Sequence, residues 1–111
     1  MCSRAAGTRA RVRAPPTPTP LAPPQAPARF RISDWVCNEK LYRVTLNWVD
    51  QASNEDDYRL YRDGGLIATL PAGSTSYVDM PPRGGVHTYV LEAFNDGGAS
   101  EQVSLKDQGC Q

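Results

Sequence analysis

Four acidic residues are the first candidates for chemistry in this sequence. Glu55, Asp56 and Asp57 are consecutive, and Asp96 lies in a later glycine-rich segment. Calcium takes six to eight oxygen ligands, and carboxylates supply them. Neighbouring residues of a chain cannot all point inward, however, and the spacing of a calcium loop is absent. We therefore expect exposed acids that keep a loop soluble, and we hold these four residues only as a weak calcium candidate.

Catalysis needs a nucleophile beside a base, and the sequence offers no motif for such a pair. His87 is the single histidine, and it begins a predicted strand, where we expect it at the surface. No Gly-x-Ser-x-Gly, His-Glu-x-x-His or phosphate-loop motif occurs. The cysteines include no ligand-spaced pair of the kind that binds zinc. We predict that the chain is not an enzyme and that it has neither a cofactor nor a metal.

The elements that carry these side chains are short strands. YRVTLNW, residues 42–48, alternates apolar and polar residues as a half-buried strand does. Six further runs are similar, and turn residues such as Asp63-Gly64-Gly65 separate them. Regular short strands with such turns indicate an all-β sandwich or barrel. The predicted strands are 28–35, 42–48, 57–63, 65–70, 74–80, 86–95 and 98–107.

Composition divides the chain into three parts. Residues 1–14 are basic and acid-free, and we expect a disordered arm there. Residues 15–27 hold seven of the ten prolines and are expected to form an extended linker, because proline fixes φ and lacks a donor. Residues 28–111 carry the strands and form the predicted domain.

Charge excludes some partners. From Ile32 onward there are six Lys or Arg against twelve Asp or Glu, a net charge of −6. Such an acidic body repels phosphates, so we expect no nucleic-acid binding. No run approaches the ~18 apolar residues of a membrane helix, so we expect no membrane insertion. Residues 1–14 also lack the apolar stretch of a secretory signal.

The order of the strand motifs resembles a fibronectin type III module over residues 28–107. Trp48 in VTLNW is similar to that family's core tryptophan. Tyr58 and Leu60 resemble the inward pair of its third strand. Tyr89 and Leu91, followed by an Ala-x-Asn and a glycine turn, resemble its sixth strand. The variant looks most like modules that bacterial surface proteins carry on Pro/Thr-rich stalks.

The resemblance implies a seven-stranded, antiparallel immunoglobulin-like sandwich. The first, second and fifth strands would face the third, fourth, sixth and seventh. Trp48, Tyr58, Leu60, Tyr89 and Leu91 would then be core residues. The family usually has a leucine about five residues before the sixth-strand tyrosine, whereas Met80 precedes Tyr89 by nine. We therefore predict no particular hydrogen bond for the Tyr89 hydroxyl.

The cysteines can be placed on this topology. Cys37 follows the first strand and Cys110 follows the last, so both would lie at one pole of the sandwich. A Cys37–Cys110 disulfide is the favoured reading, although the family does not carry such a bond. The alternative is free thiols in a reducing compartment. A disulfide favours an exported protein, so we expect an extracellular or cell-surface location.

Binding is the favoured class of function. Four residues should lie on the outer face of the third and sixth strands, namely Arg59, Tyr61, Glu92 and Phe94. Arg59 and Glu92 could pair across these strands, and ordinary cross-strand packing is the alternative role of the four residues. The predicted function is a monomeric, non-catalytic module for spacing, display or protein–protein interaction within a larger extracytoplasmic protein. Its partner would be another protein or a domain of the same chain. The alternative is a carbohydrate-binding accessory module that uses Tyr61 and Phe94.

Overall fold

The computed structural model describes residues 21–111, and the basic arm and the first part of the proline-rich segment lie outside these residues. Eight strands alternate with turns, and no helix is present among the described residues. None of them therefore forms a helix that could cross a membrane. The strands are β1 (Ala28–Cys37), β2 (Tyr42–Val49), β3 (Asp57–Arg62), β4 (Gly65–Pro71), β5 (Ser76–Asp79), β6 (Thr88–Asn95), β7 (Gly98–Ala99) and β8 (Val103–Lys106).

The strands form two antiparallel sheets. One sheet has the order β1-β2-β5, and the other has the order β4-β3-β6-β7, with β8 also paired to β6. The prediction of an all-β, two-sheet sandwich is confirmed, and so is the division of the strands between the sheets. Because the strands alternate in direction, β2 and β6 start at one pole, the disulfide pole. The segment 50–56 and the turn after β6 lie at the other, the loop pole.

The core lies between the inner faces of the sheets. Trp48, Tyr58, Leu60, Tyr89 and Leu91, which the sequence assigns to the core, are all buried. The Trp48 ring contacts the rings of Phe30 and Tyr58, at centroid distances of 6.2 and 5.7 Å. Side chains from both sheets thus share one apolar layer, as a sandwich requires.

The predicted seventh strand is two strands, β7 and β8. Ser100 lies between them and is buried. Its backbone N donates to Ala93 O at 2.7 Å, while its hydroxyl accepts from Ala93 N at 2.9 Å. The side chain thus replaces the carbonyl that a continuous strand would supply, and the ladder breaks there. Alternation alone cannot reveal this exchange, because serine is common on the polar side of a strand.

Candidate functional site

The outer face of β3 and β6 brings together the four predicted binding residues. Arg59 is directly opposite Glu92, and Tyr61 and Phe94 lie diagonally from this pair. The Arg59 guanidinium carbon lies 3.5 Å from the centroid of the Phe94 ring. Glu92 accepts hydrogen bonds from Tyr61 Oη at 3.0 Å and from Gln102 Nε2 at 2.9 Å.

Arg59 and Glu92, which could pair across the strands, face each other but form no ion pair. Both carboxylate oxygens of Glu92 already accept hydrogen bonds, and the residue is only 6% exposed. Arg59 instead stacks on Phe94, and the acid nearest to it is Asp57 at 3.9 Å. Burial and the hydrogen bond to Glu92 raise the pKa of Tyr61.

These contacts occupy groups on the outer face that a sugar would need. A sugar ring needs an aromatic face that is free, but the guanidinium covers one face of Phe94. The Tyr61 hydroxyl already donates to Glu92. A cation–π contact at such a half-exposed site contributes about 0.5–1 kcal/mol to stability. Contacts within the sheet therefore account for these side chains without a bound ligand.

A second group of polar side chains lies at the disulfide pole, around Asp79. This carboxylate accepts from Tyr89 Oη at 2.7 Å. It also accepts from Arg62 Nη1, at 2.9 Å through Oδ1 and 2.8 Å through Oδ2. Burial, and then the bond to Asp79, raise the pKa of Tyr89. The sequence shows no pattern for this cluster beyond the missing leucine before Tyr89.

His87 joins the same pole, and the expectation of a surface histidine is wrong. It is 8% exposed, and Nδ1 lies 2.6 Å from Asp63 Oδ2 while Nε2 lies 2.7 Å from Pro82 O. Its backbone N donates to Asp107 Oδ1 at 2.8 Å. Both ring nitrogens therefore face acceptors inside the domain. In this arrangement the imidazole has no free nitrogen for a substrate proton.

The predicted Cys37–Cys110 disulfide is present, with the two Cα atoms 5.6 Å apart. Arg83, which the sequence analysis missed, supports it. Its guanidinium donates to Asn38 O, to Gln111 O at 3.1 Å and to Cys110 Sγ at 3.3 Å. The arginine thus ties the turn after β1 to the C-terminal tail.

The weak calcium candidates lie at the loop pole. Glu55 Oε2 accepts from Gly73 N at 3.0 Å, and Asp57 lies beside Arg59. Within residues 21–111, no three acid, histidine or cysteine side chains are grouped as a metal site would require. The four acids are therefore not brought together as one ligand set.

The loop pole holds the described part of the proline-rich segment. Ala22 O accepts from Asn95 Nδ2 at 2.9 Å and from Asn54 Nδ2 at 3.3 Å. A Cβ atom added to Gly97 would lie 2.8 Å from the carbonyl carbon of Leu21. Only glycine lets the two backbones approach this closely. We call Asn54, Asn95 and Gly97 the N-terminal clamp.

Comparisons with known proteins place the fold. No protein-family model and no curated protein matches the chain. Solved structures do match, with TM-scores of 0.60 to 0.63. A spore cortex lytic enzyme of Clostridium perfringens, SleM, is 20% identical over 78% of this chain, which spans 29% of the SleM chain.

Two further structures are modules that bear the name of the fold. A structure titled FN3tt mut is 20% identical, and the match covers 79% of this chain and 98% of that one, with a TM-score of 0.63. The fibronectin(III)-like modules of Clostridium thermocellum CbhA are 19% identical over 82% of this chain and 48% of theirs, with a TM-score of 0.60. The described part of the chain therefore has the fibronectin type III fold.

Proposed function

We propose that the chain is a non-catalytic spacer and display module of a larger extracytoplasmic protein. The observation that carries this proposal is the N-terminal clamp. The clamp holds Leu21 and Ala22 against the loop pole, while β8 and the tail after it lead to the disulfide pole. A module whose entry and exit lie at opposite poles separates its neighbours by the length of the sandwich.

Other observations support an extracytoplasmic location and a place within a larger protein. The Cys37–Cys110 disulfide suits an oxidising compartment. The same fold occupies 29% of the chain of the SleM lytic enzyme, which is a larger protein. The proposal also includes a division into an arm (1–14), a linker (15–27) and a domain (28–111). The end of the linker packs on the domain, because Pro24 and Pro27 are buried.

The clamp can be tested by 15N relaxation of the backbone amides of Leu21 and Ala22. We expect order parameters of about 0.85, as in β2, because the segment is held on both sides. Gly97 has no positive φ, so Gly97→Ala adds only the overlapping methyl group. In that variant the two amides should fall below about 0.6 while β2 stays rigid.

The matched control is Asp96→Ala, because Asp96 is exposed in the same turn. It should leave the order parameters of Leu21 and Ala22 unchanged. Values below about 0.6 in the unaltered chain would refute a fixed entry and with it the spacer proposal.

A further inference from the structure

Trp35 is an inward-facing residue that stays open to solvent. It pairs with Val44, a fully buried residue, so its side chain lies on the inner side of the sheet. Nevertheless, Trp35 is 40% exposed. The reason is that β1 is the edge strand of its sheet, so among residues 21–111 no further strand lies beside it to cover the indole on that side. An irregularity between Ile32 and Asp34 also shifts the strand just before it.

Two depressions share the Trp35 side chain. One, of about 450 Å3, lies on the disulfide side and is lined by Asn38, Glu39 and the tail around Gln108. The other, of about 400 Å3, lies between Asp34 and Lys106, and Gln108 lines it as well. Both volumes are within the range of small-molecule sites. The indole thus stands between two adjoining open hollows.

The two linings combine the apolar indole with polar groups that can bond to hydroxyls. Carboxylates accept hydrogen bonds, and amides both donate and accept them. The Glu39 and Gln108 side chains are exposed, so their polar groups are accessible to a ligand. Protein contacts, by contrast, concentrate in apolar pockets that exclude water. Besides Trp35, Ile32 is the one large apolar side chain in the two linings.

Charge narrows the class of ligand further. The two linings carry acidic and basic side chains in equal number, namely Asp34, Glu39, Lys106 and Arg83. Asp34 pairs with Arg43 at 3.0 Å, and the Arg83 guanidinium is committed to Asn38, Cys110 and Gln111. Residues 21–111 contain eight Lys or Arg and twelve Asp or Glu. A polyanion would be repelled by this balance, whereas a neutral sugar would not.

We propose that Trp35 and its two depressions bind a neutral oligosaccharide. The indole face stacks on one sugar ring, and Glu39 and Gln108 bond to hydroxyl groups on either side. This site is distinct from the outer face of Tyr61 and Phe94, and it is independent of the N-terminal clamp, so either proposal can fail alone.

The test is a 15N–1H titration of the full chain with cellohexaose and, separately, with chitohexaose. We expect saturable shifts of the Trp35 indole NH and the Gln108 side-chain amide with at least one of them. The buried Trp48 indole should not move, so it serves as an internal reference. Gln108 is exposed, and Gln108→Ala should raise Kd about threefold or more. Trp35→Ala should raise Kd about tenfold or more.

Tyr61→Ala is the matched control and should leave Kd unchanged. An absence of saturable shifts with both hexasaccharides would overturn the proposal. Shifts that map to Tyr61 and Phe94 would overturn it as well. A parallel titration uses a tryptic peptide mixture, and a response of Trp35 to the peptides alone would also overturn the proposal. A normal spectrum of Gln108→Ala keeps the test valid even if Trp35→Ala does not fold.

Discussion

The Tyr89 hydroxyl is held by a side chain, Asp79, that the sequence did not indicate as its partner. The sequence lacks a leucine at the usual distance before this tyrosine, and we made no prediction for its hydroxyl. In the structure the hydroxyl donates to Asp79, which two bonds from Arg62 hold in place. Asp79 is 7% exposed, so a carboxylate at that depth requires such partners. The tyrosine thus fastens β6 to the end of β5.

Removal of this hydroxyl should therefore destabilise the domain. We expect Tyr89→Phe to lower the free energy of unfolding by about 1.5–3 kcal/mol, because a buried charged acceptor loses one donor. Urea denaturation followed by tryptophan fluorescence measures this. The control is Tyr61→Phe. Its acceptor, Glu92, is as buried as Asp79, but Tyr61 itself is half-exposed, so water can replace the lost hydroxyl there, whereas Tyr89 is fully buried. We expect a loss below about 1 kcal/mol there, and equal losses would contradict the role given to Asp79.

The hairpin of β3 and β4 does more than reverse the chain. Asp63 and Gly64 both have positive φ, at 51° and 88°, which is the backbone that an Asp-Gly hairpin turn requires. The Asp63 carboxylate also accepts from Thr88 N at 2.9 Å and contacts the His87 ring. One turn residue therefore sets the hairpin geometry and holds the start of β6.

The His87 contacts make stability depend on pH. Burial lowers the pKa of His87, but the bonds to Asp63 and Pro82 O raise it more, so the pKa is raised overall. The imidazolium can donate to both acceptors, whereas neutral imidazole can donate to only one. This contribution is fully present below pH ~6.5 and is lost as pH rises through the raised pKa.

Accordingly, the free energy of unfolding should fall between pH 6 and pH 8, and His87→Gln should remove that dependence. His87 is the single histidine, so no other imidazole contributes. Bonds to His87 and Thr88 lower the pKa of Asp63, so its contribution is lost as pH falls below ~4. Urea denaturation from about pH 3 to about pH 8 tests both signs. An unchanged slope in His87→Gln would contradict the assignment.

The disulfide acts on the molecule as a whole, because it joins residues 73 positions apart. It connects the end of β1 in one sheet to the tail after β8 in the other. Arg83 and the Gly84 N–Cys110 O bond, at 2.9 Å, add the segment between β5 and β6 to this junction. The disulfide pole is therefore one covalently connected unit, whereas no disulfide lies at the loop pole among residues 21–111.

Loss of the disulfide should lower stability by about 4 kcal/mol, through the entropy of a long open loop in the unfolded chain. The comparison is between the oxidised chain and Cys37→Ala/Cys110→Ala in urea denaturation. A Cys2→Ser variant is the control and should match the unaltered chain. The chain should also be alkylated after unfolding without reductant. Its intact mass should then show one modified thiol. Modification of all three thiols would show that the bond does not form.

Much of the fold was predictable because its causes are local. Alternation of apolar residues is a property of each strand, so seven runs and their inward faces could be read directly. The pairing of Cys37 with Cys110 followed once the strand order was assumed. The errors concern partners that lie far apart in the chain. Glu92 bonds to Gln102 rather than Arg59, and His87 meets Asp63 across 24 positions.

The sequence alone determined the fold class, the core and the hairpin turns, because periodicity and turn chemistry act between near neighbours. The tertiary structure alone decided which polar groups meet. It placed Asp79 beside the Tyr89 hydroxyl, Leu21 and Ala22 against Gly97, and Trp35 on the edge strand of its sheet. The physical reason is distance. A hydrogen bond or a stacked ring depends on a few ångströms between residues that sequence order does not relate, and two packed sheets set those separations.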